Sequence, residues 1–394
     1  MSRSSEPHRV GSSLAYLTGL RLVLNTAFRM VYPFLPVIAR GLGVPLSQAG
    51  YLVSARWIAG MATPGVIATV GKGEVRRRVI VFGITLFIVG ALVTAATGVY
   101  IGALVGFAMM GLAKPTYDVA SQSYISDRVP YASRARYLAV YELAWAGSLL
   151  VGAPFAGWLI ARGDWETPFW VLGGLATIGL LFVNRFIDPD RPHPEGATPR
   201  LRLGRSALTL LAVMGLFTMA AEVMFVVFGA WLEDSFGLSL AALGAAALLV
   251  GFAELAGEGA TLTLTDRIGK RRSVLIGLII SAGAFGLLAT AANSLGTGLA
   301  LLAIALMGFE FTIVSSFPLA SEVAPHGRTR YLSLTVVAMG AARAIGAAAG
   351  PFLFGALGLT GPIVVAVTAD VIAAGLLLVW VRDVPGGTEP FPAG

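Results

Sequence analysis

Twelve ionisable side chains interrupt long stretches of this sequence that are otherwise apolar. A charged group in apolar surroundings is costly, so each of these residues is a candidate for function. The chemistry that such groups offer is proton transfer, binding of a charged ligand, or a buried ion pair. Seven are acidic and five are basic: Asp118, Glu142, Glu222, Glu254, Glu258, Glu310 and Asp370, and Arg21, Arg29, Arg56, Lys114 and Arg343.

Acidic residues dominate this set in the second half of the chain. Glu222, Glu254 and Glu310 fall near the middle of their apolar stretches, and Glu258 lies one helical turn from Glu254. A carboxyl group that titrates near neutral pH can carry a proton. Arg343 also lies near mid-stretch, where it could hold one of these acids ionised. Three interpretations stay open: proton coupling through these acids, a static ion pair with Arg343, and direct binding of a cationic substrate.

The first half is mixed and mostly basic. Arg21, Asn25 and Arg29 recur every four residues, which places them on one face of a helix. Arg29 lies deeper in its apolar stretch than Arg21, and Arg56 lies at about the depth of Arg29 in the next stretch. We expect Arg29 to contact an anionic group of a substrate, or a carboxylate in an ion pair that switches.

A second group in the first half lies nearer the ends of the stretches. Arg21, Asp118 and Glu142 each fall about seven residues from such an end, so they could meet at one depth. Lys114 lies one helical turn from Asp118. We interpret the four residues as a neutralising structural network, and we keep Asp118 as a candidate for binding substrate or protons.

Three aromatic side chains accompany these charges. Tyr32 lies near the helix face of Arg29, whereas Trp57 and Trp145 lie well inside their apolar stretches. Such rings can stack on an aromatic or cationic substrate. Packing against lipid explains the two tryptophans equally well.

The elements that carry these residues are membrane-spanning helices. The 394 residues are 56% hydrophobic and 12% charged, whereas soluble domains carry about 25% charged residues. A helix needs roughly 20 apolar residues to cross a bilayer. We predict an all-α integral membrane protein whose twelve spans are Leu14–Ile38, Gln48–Val70, Val79–Thr97, Tyr100–Tyr124, Tyr137–Ile160, Pro168–Ile187, Ala207–Trp231, Leu240–Leu264, Val274–Ala292, Gly298–Ser321, Tyr331–Leu357 and Pro362–Val381.

The positive charges agree with this map of spans. Of the 28 Lys and Arg residues, 21 fall in segments on one side, two fall on the other side and five lie within spans. Because positive charge collects on the cytoplasmic side, both termini are expected in the cytoplasm. The net charge of +7 therefore reflects membrane topology rather than nucleic-acid binding. The expected location is the plasma membrane, the inner membrane of a bacterium.

The two halves of the sequence repeat each other. Ser126 to Leu138 and Ser321 to Leu332 share Ser, an acid, Pro, two Arg, Tyr and Leu in the same order. Parallel six-helix halves are an established transporter architecture. We therefore divide the chain into a bundle over residues 1–187, a cytoplasmic linker over 188–205 and a second bundle over 206–394.

Several short motifs resemble those of the major facilitator superfamily. The basic loop after the eighth span contains Asp266, Arg267, Gly269 and Arg271, and the loop after the second span keeps Gly65 but has Thr69 in place of the acid. The fifth span has Gly152 and Pro154 and the eleventh has Gly350 and Pro351, similar to the Gly-Pro motif of proton-driven exporters in that family. Small residues at this spacing also let helices pack closely.

The resemblance implies two pseudo-symmetric six-helix bundles that rock around a central site. It also implies that the first, fourth, seventh and tenth helices line the cavity, so that Glu222 and Glu310 face it. In the family, the basic loops hold the outward-open state through charge contacts on the cytoplasmic side. Thr69 leaves half of that contact without its acid.

Other classes of function have less support. The chain has no Cys, and its three His residues all lie in polar stretches, so we expect no metal site and no cofactor. No nucleotide-binding loop occurs, so an ion gradient or the gradient of the substrate itself would supply the energy. No pattern of a membrane enzyme is present.

The sequence therefore predicts a monomeric, proton-coupled secondary transporter that exports a small amphipathic organic compound. Its partners would be that substrate, protons and the lipid bilayer, and not nucleic acid. Uptake or exchange of an organic anion or sugar is the alternative within transport. A lipid-moving or non-transporting sensor protein is the alternative of another class, and Thr69 is the feature that favours it.

Overall fold

The computed structural model describes residues 7–70, 76–189, 203–324 and 328–381. Most of the predicted linker, residues 190–202, and the loop at 71–75 lie outside this part of the chain. Within it the chain forms only helices, joined by short turns. They are α1 (Pro7–Arg29), α2 (Val31–Gly41), α3 (Leu46–Gly60), α4 (Thr63–Val70), α5 (Arg76–Thr97), α6 (Tyr100–Arg128), α7 (Tyr131–Gly147), α8 (Ala153–Arg162), α9 (Thr167–Phe186), α10 (Arg205–Phe225), α11 (Phe228–Phe236), α12 (Leu240–Ile268), α13 (Lys270–Ala291), α14 (Leu295–Val323), α15 (Arg328–Leu357) and α16 (Thr360–Trp380).

These helices correspond to the twelve predicted spans. In the described chain, nine helical segments are long and apolar enough to cross a membrane, or ten when α1 and α2 count as one bent pass. The two remaining predicted spans are α6, which carries Lys114 and Asp118, and the pair α3 and α4, each of which is short. The all-α, twelve-pass membrane fold is thus present, with four of the passes interrupted rather than continuous.

Proline explains three of these interruptions. A proline has no N–H to donate and its ring clashes with the carbonyl group four residues earlier, so it breaks or kinks a helix there. Pro33 follows the end of α1 at Arg29 by four residues, and α1 and α2 meet at 55°. Pro64 stands in the same relation to Gly60, the last residue of α3. Pro154 stands in that relation to Leu150, within the π-helical turn Ser148–Gly152 that joins α7 and α8.

The halves pack against each other through equivalent helices. α3 packs against α15, α8 packs against α12, and α2 packs against α11. In the predicted order of spans these are the second with the eleventh, the fifth with the eighth, and the first with the seventh. If the two halves are exchanged, the pairing of the second span with the eleventh becomes that of the eighth with the fifth, and the pairing of the first with the seventh is unchanged. A pseudo-twofold arrangement requires this relationship.

The tight contacts between the halves lie on one side of the molecule. We call this side the sealed face; it carries Arg40 at the end of α2, and the opposite side, where α9 ends and α10 begins, is the linker face. A Cβ atom added to Gly229 would lie 2.3 Å from the Pro33 carbonyl oxygen, and one added to Gly50 would lie 2.6 Å from the Ala347 carbonyl oxygen. In the described residues, close backbone approaches between the halves extend from this face to about mid-depth.

The Gly-Pro segments predicted as motifs take part in this packing. Gly152 and Gly350 pack within their own halves, where a Cβ atom at Gly152 would meet the Thr26 hydroxyl oxygen at 2.1 Å and one at Gly350 would meet the Val223 carbonyl oxygen at 2.7 Å. The contacts between the halves involve the two prolines. The position of a Cβ at Gly50 is 2.8 Å from Pro351. Where α8 packs against α12, the Cα atom of Pro154 lies 3.2 Å from the Cβ position of Gly244. Small residues therefore let the halves approach at backbone distance.

Candidate functional site

Glu222 joins the two halves near mid-depth, where their close packing extends in from the sealed face. Its side chain lies on α10 and has no exposed surface. Its carboxylate accepts hydrogen bonds from the Tyr32 hydroxyl at 2.9 Å, the Trp57 indole N–H at 2.9 Å and the Arg343 guanidinium at 2.9 Å. Tyr32 and Trp57 belong to the first half and Arg343 to the second. One buried carboxylate thus collects donors from both bundles.

Arg56 supports this cluster without touching a carboxylate in the described part of the chain. It is 1% exposed and donates to the Tyr32 hydroxyl oxygen at 2.9 Å. It also donates to the Phe28 carbonyl oxygen, and its guanidinium lies 3.6 Å from the centre of the Phe28 ring. The Tyr32 hydroxyl can therefore accept from Arg56 and donate to Glu222 at once. The sequence predicted that Arg56 lies at about the depth of Arg29, but it did not predict the chain of hydrogen bonds from Arg56 through the Tyr32 hydroxyl to Glu222.

Arg29 and Glu254 form a second link between the halves. The Arg29 guanidinium binds the Glu254 carboxylate directly, and each residue is 1% exposed. Arg29 also donates to the Trp145 carbonyl oxygen at 3.3 Å and lies 4.3 Å from the centre of the indole ring. Of the two roles expected for Arg29, this geometry matches a carboxylate partner. The second oxygen of Glu254 has no hydrogen-bond partner in the described chain.

The residues expected to neutralise one another in the first half do meet. Arg21 contacts Asp118 at 3.2 Å and Glu142 at 2.8 Å, and Lys114 contacts Asp118 at 2.6 Å. The Tyr141 hydroxyl donates to Asp118 at 3.4 Å. Two cations therefore face two carboxylates within one bundle, and Asp118 is already held from two sides.

Glu258 and Glu310 lack such compensation. A Cβ atom at Gly257 would lie 2.9 Å from the Glu310 Cβ, so α14 places Glu310 directly against α12 beside Glu258. Glu310 is 6% exposed, and Glu258 is half-buried. Among the described residues, no cation lies within ion-pair distance of either carboxylate. Asp370 faces Ser281 on α13 instead and does not join this group.

The three candidate aromatic residues are all in contact with cations of the protein itself. Trp57 is half-buried, with its ring 4.8 Å from the Arg343 guanidinium. Trp145 lies 4.3 Å from Arg29 and 4.9 Å from Lys114. The rings of this site stabilise buried charge, a role that the sequence did not suggest.

The loop motifs occupy the linker face. Gly269 ends α12 with φ of +96°, a conformation that favours glycine, and Arg271 donates to the Leu378 carbonyl oxygen at 2.8 Å. Asp266 and Arg267 form the last turn of α12. Gly65 lies in α4, where an added Cβ would meet open space, and Thr69 bonds only to carbonyl oxygens of its own helix in the described chain.

Two ion pairs on this face were missed by the sequence reasoning. Arg76 at the start of α5 contacts Asp127 at 3.4 Å, and Lys270 at the start of α13 contacts Glu322. Both acids occupy the same position of the internal repeat, directly after Ser126 and Ser321. The repeat was therefore the signal that could have paired them.

Comparison with known proteins gives consistent results over most of the chain. The family model described as Major Facilitator Superfamily matches residues 17–262 and 210–394. The MFS-type transporter YceJ of Bacillus subtilis is 23% identical over 355 residues, which cover 84% of this chain and 86% of that protein. The multidrug resistance protein MdtL of Klebsiella pneumoniae is 27% identical over 220 residues, which cover 50% of this chain and 55% of MdtL.

Solved structures share the fold at low sequence identity. A D-xylose-proton symporter superposes with a TM-score of 0.76 at 17% identity, covering 95% of this chain and 98% of the symporter. A bacterial homolog of the human lysosomal transporter Spinster, solved in an inward-facing and occupied conformation, gives 0.73 at 16% identity, covering 95% and 97%. At these identities the likeness concerns the fold alone.

Proposed function

This chain belongs to the major facilitator superfamily, and we propose that within it the protein is a proton-coupled exporter of a small amphipathic organic compound. It is a multi-pass membrane protein that acts in transport and not in catalysis.

The ion pair between Arg29 and Glu254 carries the proposal. Alternating access requires the halves to separate on the sealed face and to close on the linker face. Arg29 lies in the first half and Glu254 in the second, so this motion pulls the guanidinium from the carboxylate. A carboxylate that loses its counter-charge in a low-dielectric site is stabilised by taking up a proton. Glu254 acts electrostatically on both Glu258 and Glu310, so acidic groups are crowded in this region.

The reverse motion releases the proton. When the sealed face closes again, Arg29 returns to Glu254 and stabilises its ionised form, and the proton leaves toward the linker face. One proton therefore crosses from the sealed face to the linker face in each cycle. The substrate moves in the opposite direction when it binds from the linker face.

The orientation follows from the positive charges. The sequence assigns 21 of the 28 Lys and Arg residues to segments on the side of the linker, and this excess of positive charge supports a cytoplasmic linker face in a bacterial cell. The described conformation is then inward-facing, and proton entry drives export across the inner membrane. The protein acts as a monomer, with residues 1–187 and 206–394 as the two moving bundles. The name of MdtL, a multidrug resistance protein, supports export as the direction.

Glu222 has a different role in this scheme. Arg343 is on the same half, so Glu222 keeps its cation when the halves separate and loses only the neutral donors Tyr32 and Trp57. We assign Glu222 to stabilising the sealed face rather than to carrying protons. Among the interpretations open from the sequence, this corresponds to the ion pair with Arg343.

The test is proton movement by purified protein in liposomes that contain a pH-sensitive dye. A panel of drugs, sugars and organic acids is applied to the wild type, to Glu254→Gln and to Asp370→Asn. Asp370→Asn is the matched control, because it removes a buried acid outside the network. We expect substrate-driven pH changes in the wild type and the control. Glu254→Gln should move substrate down its gradient with no pH change.

Two results would contradict the proposal. Substrate flux in the wild type with no pH change would exclude proton coupling, and a full pH response in Glu254→Gln would exclude Glu254 as the carrier. Arg56, a buried cation without a carboxylate in the described chain, favours uptake of an organic anion as the second candidate. Substrate-driven alkalinisation or acidification with organic acids alone would favour that candidate.

A further inference from the structure

We propose that Glu258 and Glu310 form the binding site of the transported compound, and that this compound is an organic cation. The inference rests on the transport function proposed above and adds the class of substrate. Its basis is the charge left over on the linker side of the Arg29–Glu254 pair.

The other charges in this region compensate one another. Arg21 and Lys114 face Asp118 and Glu142. Arg29 faces Glu254. Arg343 faces Glu222, and Arg56 donates to the Tyr32 hydroxyl and the Phe28 carbonyl oxygen. In the described chain, Glu258 and Glu310 are the carboxylates of this region that have no cation within ion-pair distance, and Arg29 and Arg343 act on Glu310 only from farther away. Two uncompensated carboxylates on neighbouring helices create a site that attracts positive charge.

Glu310 supplies the observation that points to a ligand. Glu310 is 6% exposed and has no hydrogen-bond partner among the described residues, and its carboxylate oxygens are not among the completely buried atoms that lack a partner. A buried polar group of this kind normally has a partner. The close contact of α12 with α14 places the start of its side chain against Gly257, the residue before Glu258, and Glu258 acts on Glu310 electrostatically.

The partial exposure of Glu142 and Glu258 supports access to the site from the linker face. The closest approaches between the halves stop at about mid-depth, where the Cβ position of Gly251 is 3.0 Å from the Leu149 side chain. Glu142, on the first half, keeps 45% of its side chain exposed and acts electrostatically on Glu258 across the interface. A compound entering between the halves therefore meets Glu258 first and Glu310 behind it.

The occupant is larger than a metal ion. No group of three or more His, Cys, Asp or Glu residues in the described chain converges closely enough to hold a metal. Apolar side chains lie about two helical turns from Glu258, where Leu149 and Leu150 of the facing half are within contact distance of the Gly251 position. Separated carboxylates in an apolar wall suit an ammonium or phosphonium group with hydrophobic substituents.

Binding of tetraphenylphosphonium, a permanent lipophilic cation, tests this site. Equilibrium dialysis of the detergent-solubilised full chain, corrected with protein-free micelles, gives Kd for the wild type, Glu258→Gln, Glu310→Gln and Asp370→Asn. Removal of one charge from a desolvated charge pair should raise Kd by about tenfold or more in the first two variants. Asp370→Asn should leave Kd within about twofold of the wild type. Because Glu258 is half-buried, Glu258→Gln carries the test if Glu310→Gln does not fold.

Each failure has a distinct signature. An unchanged Kd in Glu258→Gln, or a wild type that does not bind tetraphenylphosphonium, overturns the cation site. Loss of proton movement in Glu258→Gln with unchanged Kd also overturns it, because the acids would then bind protons alone. The proposed proton coupling fails separately, when the wild type transports without a pH change while Glu258→Gln still weakens tetraphenylphosphonium binding.

Discussion

The hydroxyl oxygen of Tyr32 lies 2.9 Å from a carboxylate oxygen of Glu222, although the two residues are 190 positions apart. Tyr32 is in the first bundle and Glu222 in the second, and both are buried. Arg56 donates to the same hydroxyl, so the cation polarises a hydrogen bond that crosses between the bundles. The sealed face is therefore held by polar bonds as well as by close backbone packing.

Tyr32→Phe should weaken the sealed face while leaving the shape of the site intact. It removes one hydrogen bond to a charged group, worth about 1.5–3 kcal/mol, and leaves Arg56 with one fewer acceptor. Since the chain has no Cys, a single Ala230→Cys on α11, a residue 3% exposed, reports opening of this face. Maleimide labelling of that thiol should be about tenfold faster in Tyr32→Phe. Equal labelling rates would show that the bond does not hold the halves together.

Removing Arg29 alone should be severely destabilising. Arg29→Ala leaves the buried Glu254 carboxylate without its cation, a loss of about 3–5 kcal/mol. The thermal midpoint of the detergent-solubilised protein measures this effect. Adding Glu254→Gln should recover most of the lost stability, because the double variant has no unpaired charge at this position. A double variant as unstable as Arg29→Ala would indicate that packing of the Arg29 side chain, rather than charge, is the cause.

Gly229→Ala should separate α2 from α11. The new Cβ atom would lie 2.3 Å from the Pro33 carbonyl oxygen, which is backbone and cannot turn away. We expect faster labelling of Ala230→Cys and a lower thermal midpoint. Gly259→Ala is the matched control, because its Cβ would meet nothing within 4 Å. That control should be neutral, or more stable by up to about 1 kcal/mol from helix propensity.

The exposed pair of Arg40 and Glu233 should contribute a small, salt-dependent part of the seal. Arg40 contacts both oxygens of Glu233, at 2.8 and 3.1 Å, and its side chain is 59% exposed. Exposed pairs of this kind are worth about 0–1 kcal/mol and are screened by salt. Arg40→Gln should speed labelling of Ala230→Cys by no more than about fivefold at low salt, with the difference lost near 0.5 M. A large effect that persists at high salt would contradict this assignment.

Much of the fold was determined by local features of the sequence. Runs of about 20 apolar residues require membrane-spanning helices, since every backbone polar group must be satisfied within the bilayer. The alternation of basic and non-basic connecting segments predicted the direction in which each span crosses the membrane. The internal repeat predicted two related bundles. Depth could be counted as well, because each helical residue advances by about 1.5 Å. That is why Arg21, Asp118, Glu142 and Lys114 were expected together and do meet.

Only the tertiary structure decided which charges face each other across the two bundles. The pairing of Arg29 with Glu254, and of Tyr32 and Trp57 with Glu222, depends on how each helix is rotated and on how closely the bundles approach. Those variables are set by contacts between residues that are far apart in sequence, so no local spacing encodes them. The same packing left Glu258 and Glu310 without cations among the described residues. The sequence could place ionisable groups at mid-membrane, but the packing of the bundles determined which of them are neutralised.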